Sequence, residues 1–244
     1  MRNVRLDICY DGTRYRGWQR QVKDSATIQG KLETALSQIL GENIEVSGSG
    51  RTDAGVHAML QVVNFHCNSM MSCEDILAKL RQYLPEDIGV YSCRNVSPRF
   101  HARLNAKQKT YRYRVWNSER PCVFDRRYVT VDRRQVNIEQ MRKAAALLLG
   151  IHDFSAFCAN RKMKKSTVRT VDSIEITHTG DELVFMISGN GFLHNMVRIL
   201  VGTLMEVGEG SRTAESVASL FGADRSEAGA LMPPAGLCLM EVNY

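Results

Sequence analysis

Hydrophobic and polar residues alternate in some stretches of the N-terminal half of the chain and recur at helical spacing in others. Val4 to Tyr10 alternates with polar neighbours, which predicts a strand. Apolar residues at helical spacing from Ile28 to Ile39 predict a helix. Ser25 or Thr27 is suited to cap this helix, and Gly41 ends it. The other predicted elements of this half are strands at 43–47, 59–66 and 88–96 and a helix that begins at the capping box Ser72-x-x-Asp75 and stops before Pro85.

The C-terminal half gives the same order of elements. They are a strand at 110–116, a helix at 137–149, a hairpin of strands at 171–177 and 183–188, helices at 192–207 and 213–221, and a last strand at 237–242. We therefore predict an α+β fold of two units, residues 1–105 and 106–244, each a ferredoxin-like or RRM-like βαββαβ arrangement with an antiparallel sheet. The sheets either lie side by side or fuse. The seam between the units falls near Phe100 to Lys107.

Charge changes this picture, because the excess of basic residues is concentrated at that seam. The chain of 244 residues has a formal net charge of +6. Residues 99–134 alone contain eleven Lys or Arg against three acidic residues, a local net charge of +8. A second basic run is formed by Arg161, Lys162, Lys164 and Lys165. Clustered positive charge favours a polyanion such as RNA, so the sheets are expected to meet around a central basic cleft. The alternative is an ordinary solvated basic face.

Several classes of protein do not fit the sequence. The charged start of the chain is unlike a signal peptide, and the apolar segment 196–207 is too short to span a membrane. The seven cysteines form no C-x-x-C pair, which is typical of reduced thiols in a cytoplasmic protein. The six histidines show no metal-ligand spacing, so we expect no metal site.

The loop at residues 13–24 interleaves aromatic residues with arginines. Arg14, Arg16 and Trp18 in such a pattern predict contacts with single-stranded nucleic acid, by stacking and by charge neutralisation. For Trp18 an alternative is open, in which its side chain fixes the loop to the core.

The segment Ser47 to His57 reads S-G-S-G-R-T-D-A-G-V-H and contains a single carboxylate, Asp53. It matches neither the dinucleotide motif G-x-G-x-x-G nor the phosphate loop G-x-x-x-x-G-K-[ST]. One interpretation is a surface turn. The other is a positioned carboxylate that acts as nucleophile or general base, kept ionised by the neighbouring Arg51.

Five segments, in order along nearly the whole chain, resemble the tRNA pseudouridine synthase A family. The most specific is Gly50-Arg-Thr-Asp-Ala-Gly-Val-His57. The others are Tyr10-Asp-Gly-Thr-Arg-Tyr-Arg-Gly-Trp-Gln-Arg-Gln21, Phe100-His-Ala-Arg103 with Lys109-Thr-Tyr-Arg-Tyr113, Gly191-Phe-Leu-His-Asn-Met-Val-Arg-Ile-Leu-Val-Gly202, and Gly236-Leu-Cys-Leu239.

The resemblance implies an isomerase that converts uridine to pseudouridine at positions 38 to 40 of the tRNA anticodon arm, without cofactor or metal. It implies that Asp53 is the nucleophile, that Arg198 pairs with it and that Arg51 helps to extrude the target nucleotide. It also implies that Tyr111 and Leu237 pack against the uracil, and that the protein is a homodimer. The residues alone leave alternatives open, because Tyr111 fits an inward strand aromatic and Arg198 a snorkelling surface arginine.

The basic residues Arg126, Arg127, Lys164 and Lys165 are further candidates for RNA contacts. The alternative function is that of a non-catalytic, RRM-like RNA-binding protein. Neither half contains an RNP1-like strand, which argues against that alternative. A small-molecule lyase or hydrolase would leave the basic span unexplained.

Overall fold

A computed structural model describes residues 1–21, 26–160 and 165–244. The chain divides into two compact units, the first formed by residues 1–107 together with 238–244 and the second by residues 108–237. The observed change of unit between residues 107 and 108 lies two residues from the predicted boundary. The last strand differs more, since it was predicted in the second unit and most of it belongs to the first.

The described residues form ten strands and four α-helices. In chain order they are β1 (Arg2–Tyr10), α1 (Ile28–Leu40), β2 (Val46–Gly48), β3 (His57–Cys67), α2 (Cys73–Tyr83), β4 (Ile88–Val96), β5 (Gln108–Trp116), β6 (Thr130–Val131), α3 (Ile138–Leu147), β7 (Gly150–Asp153), β8 (Val168–Thr179), β9 (Glu182–Gly189), α4 (Met196–Glu209) and β10 (Leu237–Asn243). None of the helices in the described part of the chain is long and apolar enough to cross a membrane.

The first unit is built on an antiparallel sheet in which β1 lies between β3 and β4. The strand β2 pairs antiparallel with β3 at residues 63–65, and β10 pairs parallel with β3 at residues 57–58. Residues from β1, α1 and α2 are buried in its core, among them Leu6, Ile28 and Ile76. Along residues 1–96 the elements follow in the order β-α-β-β-α-β.

The helices of this unit begin and end where local stereochemistry requires. The Thr27 side chain accepts a hydrogen bond from the Gly30 amide, and Gly41 ends α1 in the left-handed region at φ 70°. Ser72 caps α2 by accepting from the Asp75 amide. Thr27 is thus the N-cap of α1, and the other predicted candidate, Ser25, lies outside the described residues.

The second unit has the antiparallel strand order β5-β9-β8-β7, with β6 parallel to β5. Its core contains the fully buried rings of Tyr113, Phe154 and Phe185. The short strands β6 and β7 were not predicted, because two to four residues carry too little periodicity. The helix predicted at 192–207 begins only at Met196, and the one predicted at 213–221 is a 3₁₀ helix at Glu215–Leu220. Both units are thus mixed α+β structures with mostly antiparallel strands.

Candidate active site

Asp53 lies on the connection between β2 and β3, on a backbone that turns sharply. The Val56 amide donates to the Asp53 carbonyl oxygen at 3.1 Å, and Gly55 adopts a positive φ of 77°. The Asp53 side chain is half-buried, whereas Arg51 is exposed. The carboxylate therefore lies on a tightly turned loop and is partly exposed.

The Asp53 loop is held by the segment Tyr10 to Gln21, which lies more than thirty residues earlier in the chain. The Trp18 amide donates to the Thr52 carbonyl oxygen at 2.9 Å, and the Gly55 amide donates to that of Tyr15 at 3.3 Å. The hydroxyls of Tyr10 and Thr52 are 2.9 Å apart in the buried interior. These contacts flank Asp53 on both sides and fix its backbone. The segments 10–21 and 50–57 therefore form one structural element.

Two glycines permit this close packing. A methyl group on Gly12 would lie 2.6 Å from the carbonyl carbon of Val56, and one on Gly48 would lie 2.6 Å from an indole carbon of Trp18. Neither residue adopts a positive φ. Their role is therefore close approach of the chain rather than an unusual backbone conformation.

His57 closes the loop and joins it to two other parts of the unit. Its Nδ1 lies 3.1 Å from the Gly12 amide nitrogen and 3.2 Å from a carboxylate oxygen of Asp11. His57 is also the register partner of Cys238 in the β3–β10 pair. The C-terminal segment thus reaches the end of the Asp53 loop, and Leu237, 5 % exposed, directly precedes Cys238.

The side chain of Trp18 is buried, with 3 % of its surface exposed. It packs on Gly48 and lies with its ring centroid 6.3 Å from that of Tyr10. Stacking on a nucleobase requires a free ring face, so the interpretation of Trp18 as an RNA-stacking residue does not fit. The alternative fits, since Trp18 fixes the loop to the core.

Arg14 and Arg16 from the same loop are exposed. The Arg14 guanidinium donates to Asp87 at 2.6 and 2.9 Å. This hydrogen bond and the charge of Asp87 raise the pKa of Arg14 above its ordinary value. The charge of Arg14 is therefore partly compensated within the protein.

Tyr111 on β5 is 7 % exposed and contacts the ring of Phe192 edge to face, with 5.2 Å between the centroids. Tyr113, two residues further along the strand, is fully buried. Its hydroxyl group bonds with Thr130 at 2.6 Å and with the Pro233 carbonyl at 2.7 Å. Burial raises the pKa of Tyr113, so its hydroxyl stays protonated. Tyr113 is therefore a core residue.

Arg198 lies in the first turn of α4 and is only 9 % exposed. Its Nε donates to the Met232 carbonyl at 2.6 Å, and its Nη1 donates to the Asn195 side-chain oxygen at 2.8 Å. A snorkelling surface arginine would extend its charged group into water, so that alternative does not fit. Arg198 and Tyr111 belong to the second unit and Asp53 to the first, and Leu237 is the last residue of the second.

The basic span, residues 99–134, contains nine arginines. Arg112 is half-buried, and the other eight fall into two groups. Four form ion pairs with acidic residues: Arg114 with Glu182, Arg120 with Asp181, Arg133 with Glu119 and Arg134 with Asp132. Four are exposed and have no acidic partner among the described residues: Arg99, Arg103, Arg126 and Arg127. Lys165 is exposed, and Lys164 lies outside the described residues together with 161–163. No group of three metal-ligating side chains occurs in the described part of the chain.

The segment Phe100 to Arg103 is fixed by residues that the sequence did not single out. Asn64 donates to the Phe100 carbonyl and accepts from the Ala102 amide at 2.8 Å. The hydroxyl of Tyr244 donates to the Ala102 carbonyl at 2.7 Å. Asn64 is buried on β3, where an asparagine is uncommon, and that was the only sign of its role in the sequence.

Comparison with known proteins identifies the class of enzyme. The model of the tRNA pseudouridine synthase family matches residues 8–105 and 144–244. A protein named tRNA pseudouridine synthase A 2 from Bacillus cereus (strain ZK / E33L) is 43% identical over 245 residues, which cover 100% of both chains. One named tRNA pseudouridine synthase A 1 from Clostridium tetani (strain Massachusetts / E88) is 45% identical over 245 residues, again with 100% of both chains covered.

The chain therefore belongs to the tRNA pseudouridine synthase family, as the ordered segments predicted. A chain of a crystal structure of a Cbf5-Nop10-Gar1 complex aligns with 97% of this chain and 48% of its own length. Its TM-score of 0.40 and identity of 12% are too low to support a conclusion.

Proposed function

We propose that this protein isomerises uridine to pseudouridine in tRNA, at positions 38 to 40 of the anticodon arm, with Asp53 as the nucleophile. The observation that carries the proposal is the Asp53 loop. A half-buried carboxylate is held on a backbone fixed by Tyr15 and Trp18, in a member of the tRNA pseudouridine synthase family.

In the proposed reaction Asp53 attacks the target nucleoside, at either the base or the sugar. The bond between N1 of uracil and C1′ of ribose breaks, the uracil turns, and a bond forms between C5 and C1′. The bond between Asp53 and the nucleoside then breaks, which regenerates the carboxylate. A proton leaves C5 and N1 gains one, so the reaction is balanced without a cofactor. Arg198 pairs with the Asp53 carboxylate, and Tyr111 and Leu237 contact the uracil. In this proposal both units supply residues of the site, and each unit has a ferredoxin-like sheet.

The target uridine has to leave its stack to reach Asp53, which costs a few kcal/mol. Contacts to phosphates offset part of this cost and position the RNA without reading its sequence. Exposed Arg126 and Arg127 are suited to such contacts, and exposed Arg51 is suited to assist the extrusion. We further propose that the protein acts in the cytoplasm as a homodimer, with one tRNA touching both subunits.

Release of tritium from tRNA labelled at uridine C5 tests the activity, because each isomerisation removes one C5 hydrogen. We expect release without added cofactor or metal, and modification confined to the anticodon arm when the product is mapped. A protein that binds tRNA tightly yet releases no tritium would support the non-catalytic RNA-binding alternative instead.

The contribution of the exposed arginines to tRNA binding is tested by measuring the affinity at several salt concentrations. Changing Arg126 and Arg127 together to alanine is expected to weaken tRNA binding. It is also expected to reduce the slope of log affinity against log salt by about two, since each lost phosphate contact removes about one. The control is the double change of Lys79 and Lys143 to alanine, which removes the same charge from exposed helix positions. An equal change of slope in both variants would assign Arg126 and Arg127 to a solvated face.

A further inference from the structure

Asn195, immediately before α4, adopts a backbone conformation in which residues other than glycine are uncommon. Its φ of 62° and ψ of 8° lie in the left-handed region. It is the only non-glycine residue with a positive φ in the part of the chain that the structure describes. Asparagine tolerates this region better than most residues, but glycine occupies it at no steric cost. The side chain of Asn195 must therefore supply something that glycine lacks.

What it supplies is a hydrogen-bond acceptor for Arg198. The guanidinium has only donors, so the Nη1 contact at 2.8 Å identifies the Asn195 oxygen as the acceptor. The Met232 carbonyl accepts from Nε at 2.6 Å. Two acceptors on two different nitrogens fix both the position and the plane of the guanidinium group. The Asn195 side chain makes no cap hydrogen bond to α4, so capping does not explain it.

The position of Arg198 makes such support necessary. It is the third residue of α4, where the partial positive charge at the start of the helix disfavours a cation. It is also 9 % exposed, so most of its hydration is lost. A buried cation at a helix start, held by a residue with a strained backbone, is an arrangement that folding alone would not favour. Strain of this kind is concentrated at functional sites.

We propose that Asn195 is a positioning residue, which fixes the Arg198 guanidinium in the orientation that the proposed reaction uses. This inference rests on the proposed function, since it assigns Asn195 a role through Arg198. Asn195 itself need not touch the substrate. Its loss should therefore affect the chemical step more than the binding of tRNA.

The decisive variant is Asn195→Gly, which removes the acceptor and relieves the backbone strain together. We expect kcat to fall about 10- to 100-fold while KM stays within about twofold, because a hydrogen bond to a charged group is lost. The melting temperature should stay within about 3 °C of the wild type, since the relieved strain offsets the lost hydrogen bond. Asn195→Asp retains an acceptor oxygen. On a logarithmic scale, its loss of kcat should therefore be at most half of the loss in Asn195→Gly.

The matched control is Asn137→Gly, the same change at the start of α3, where the side chain caps the helix by accepting from the Gln140 amide. Glycine is nearly as good an N-cap as asparagine, so kcat should be unchanged. Coupling is tested in a double-mutant cycle with Arg198→Lys. Asn195→Gly should have little further effect once the guanidinium is gone.

The outcomes separate the two proposals. Wild-type protein without tritium release would overturn the proposed function. An active wild type whose Asn195→Gly variant keeps its kcat would overturn the positioning role alone. Additive effects of Asn195→Gly and Arg198→Lys would also overturn it, because Asn195 would then act independently of Arg198.

Discussion

The Asp53→Asn variant is expected to bind tRNA with wild-type affinity and to form no detectable pseudouridine. Asparagine has nearly the same shape as aspartate and fits the same loop, so the contacts of Trp18 and Gly55 with the neighbouring backbone remain. The amide is a far weaker nucleophile than the carboxylate, and no other group on this loop replaces it. We expect a loss of about four orders of magnitude in kcat or more, as when a nucleophile is removed from other enzymes.

Tritium release under single-turnover conditions measures this loss, and filter binding measures the affinity. The control is Asp75→Asn, which changes the same functional group at an exposed position in the first turn of α2. Its effect should be limited to a small change of stability. Turnover by Asp53→Asn at a tenth of the wild-type rate or more would exclude Asp53 as the nucleophile.

The second large effect is expected from Gly12→Ala. The added methyl group would overlap the Val56 carbonyl group, and backbone atoms on both sides leave no side chain that could rotate away. Such overpacking costs about 1–3 kcal/mol and occasionally more, and we expect at least the upper end of that range here. The displaced loop carries Asp53, so activity should fall together with stability.

Urea denaturation of the Gly12→Ala and Gly41→Ala variants distinguishes a steric clash from backbone strain as the cause of the destabilisation. Gly41 has a positive φ of 70° and nothing within 4 Å of an added methyl group, so its variant measures backbone strain without a clash. That strain is about 1–2 kcal/mol. If Gly12→Ala destabilises the protein no more than Gly41→Ala does, the packing of the segment 10–21 against the Asp53 loop is not rigid.

The residue pattern alone predicted those elements whose structure depends on neighbouring residues in the chain. The strand β1, the helix α1 with its Thr27 cap and Gly41 end, and the capping box at Ser72 all follow from side-chain spacing and local hydrogen bonding. The family was also evident from the order of the five segments. The glycine-rich segment made Asp53 a candidate, because only that loop combines three glycines with a single carboxylate.

Tertiary structure decided what depends on distant parts of the chain. Whether Trp18 meets solvent or the core depends on Gly48, thirty residues later, and the ion pairs of Arg114 and Arg120 depend on acidic residues far along the chain. Local residue patterns likewise do not predict that β10 pairs with β3 or that Asn195 and Met232 accept hydrogen bonds from Arg198. The physical reason is that periodicity reports which face of an element is apolar. Only packing determines which other element covers that face and which polar groups meet there.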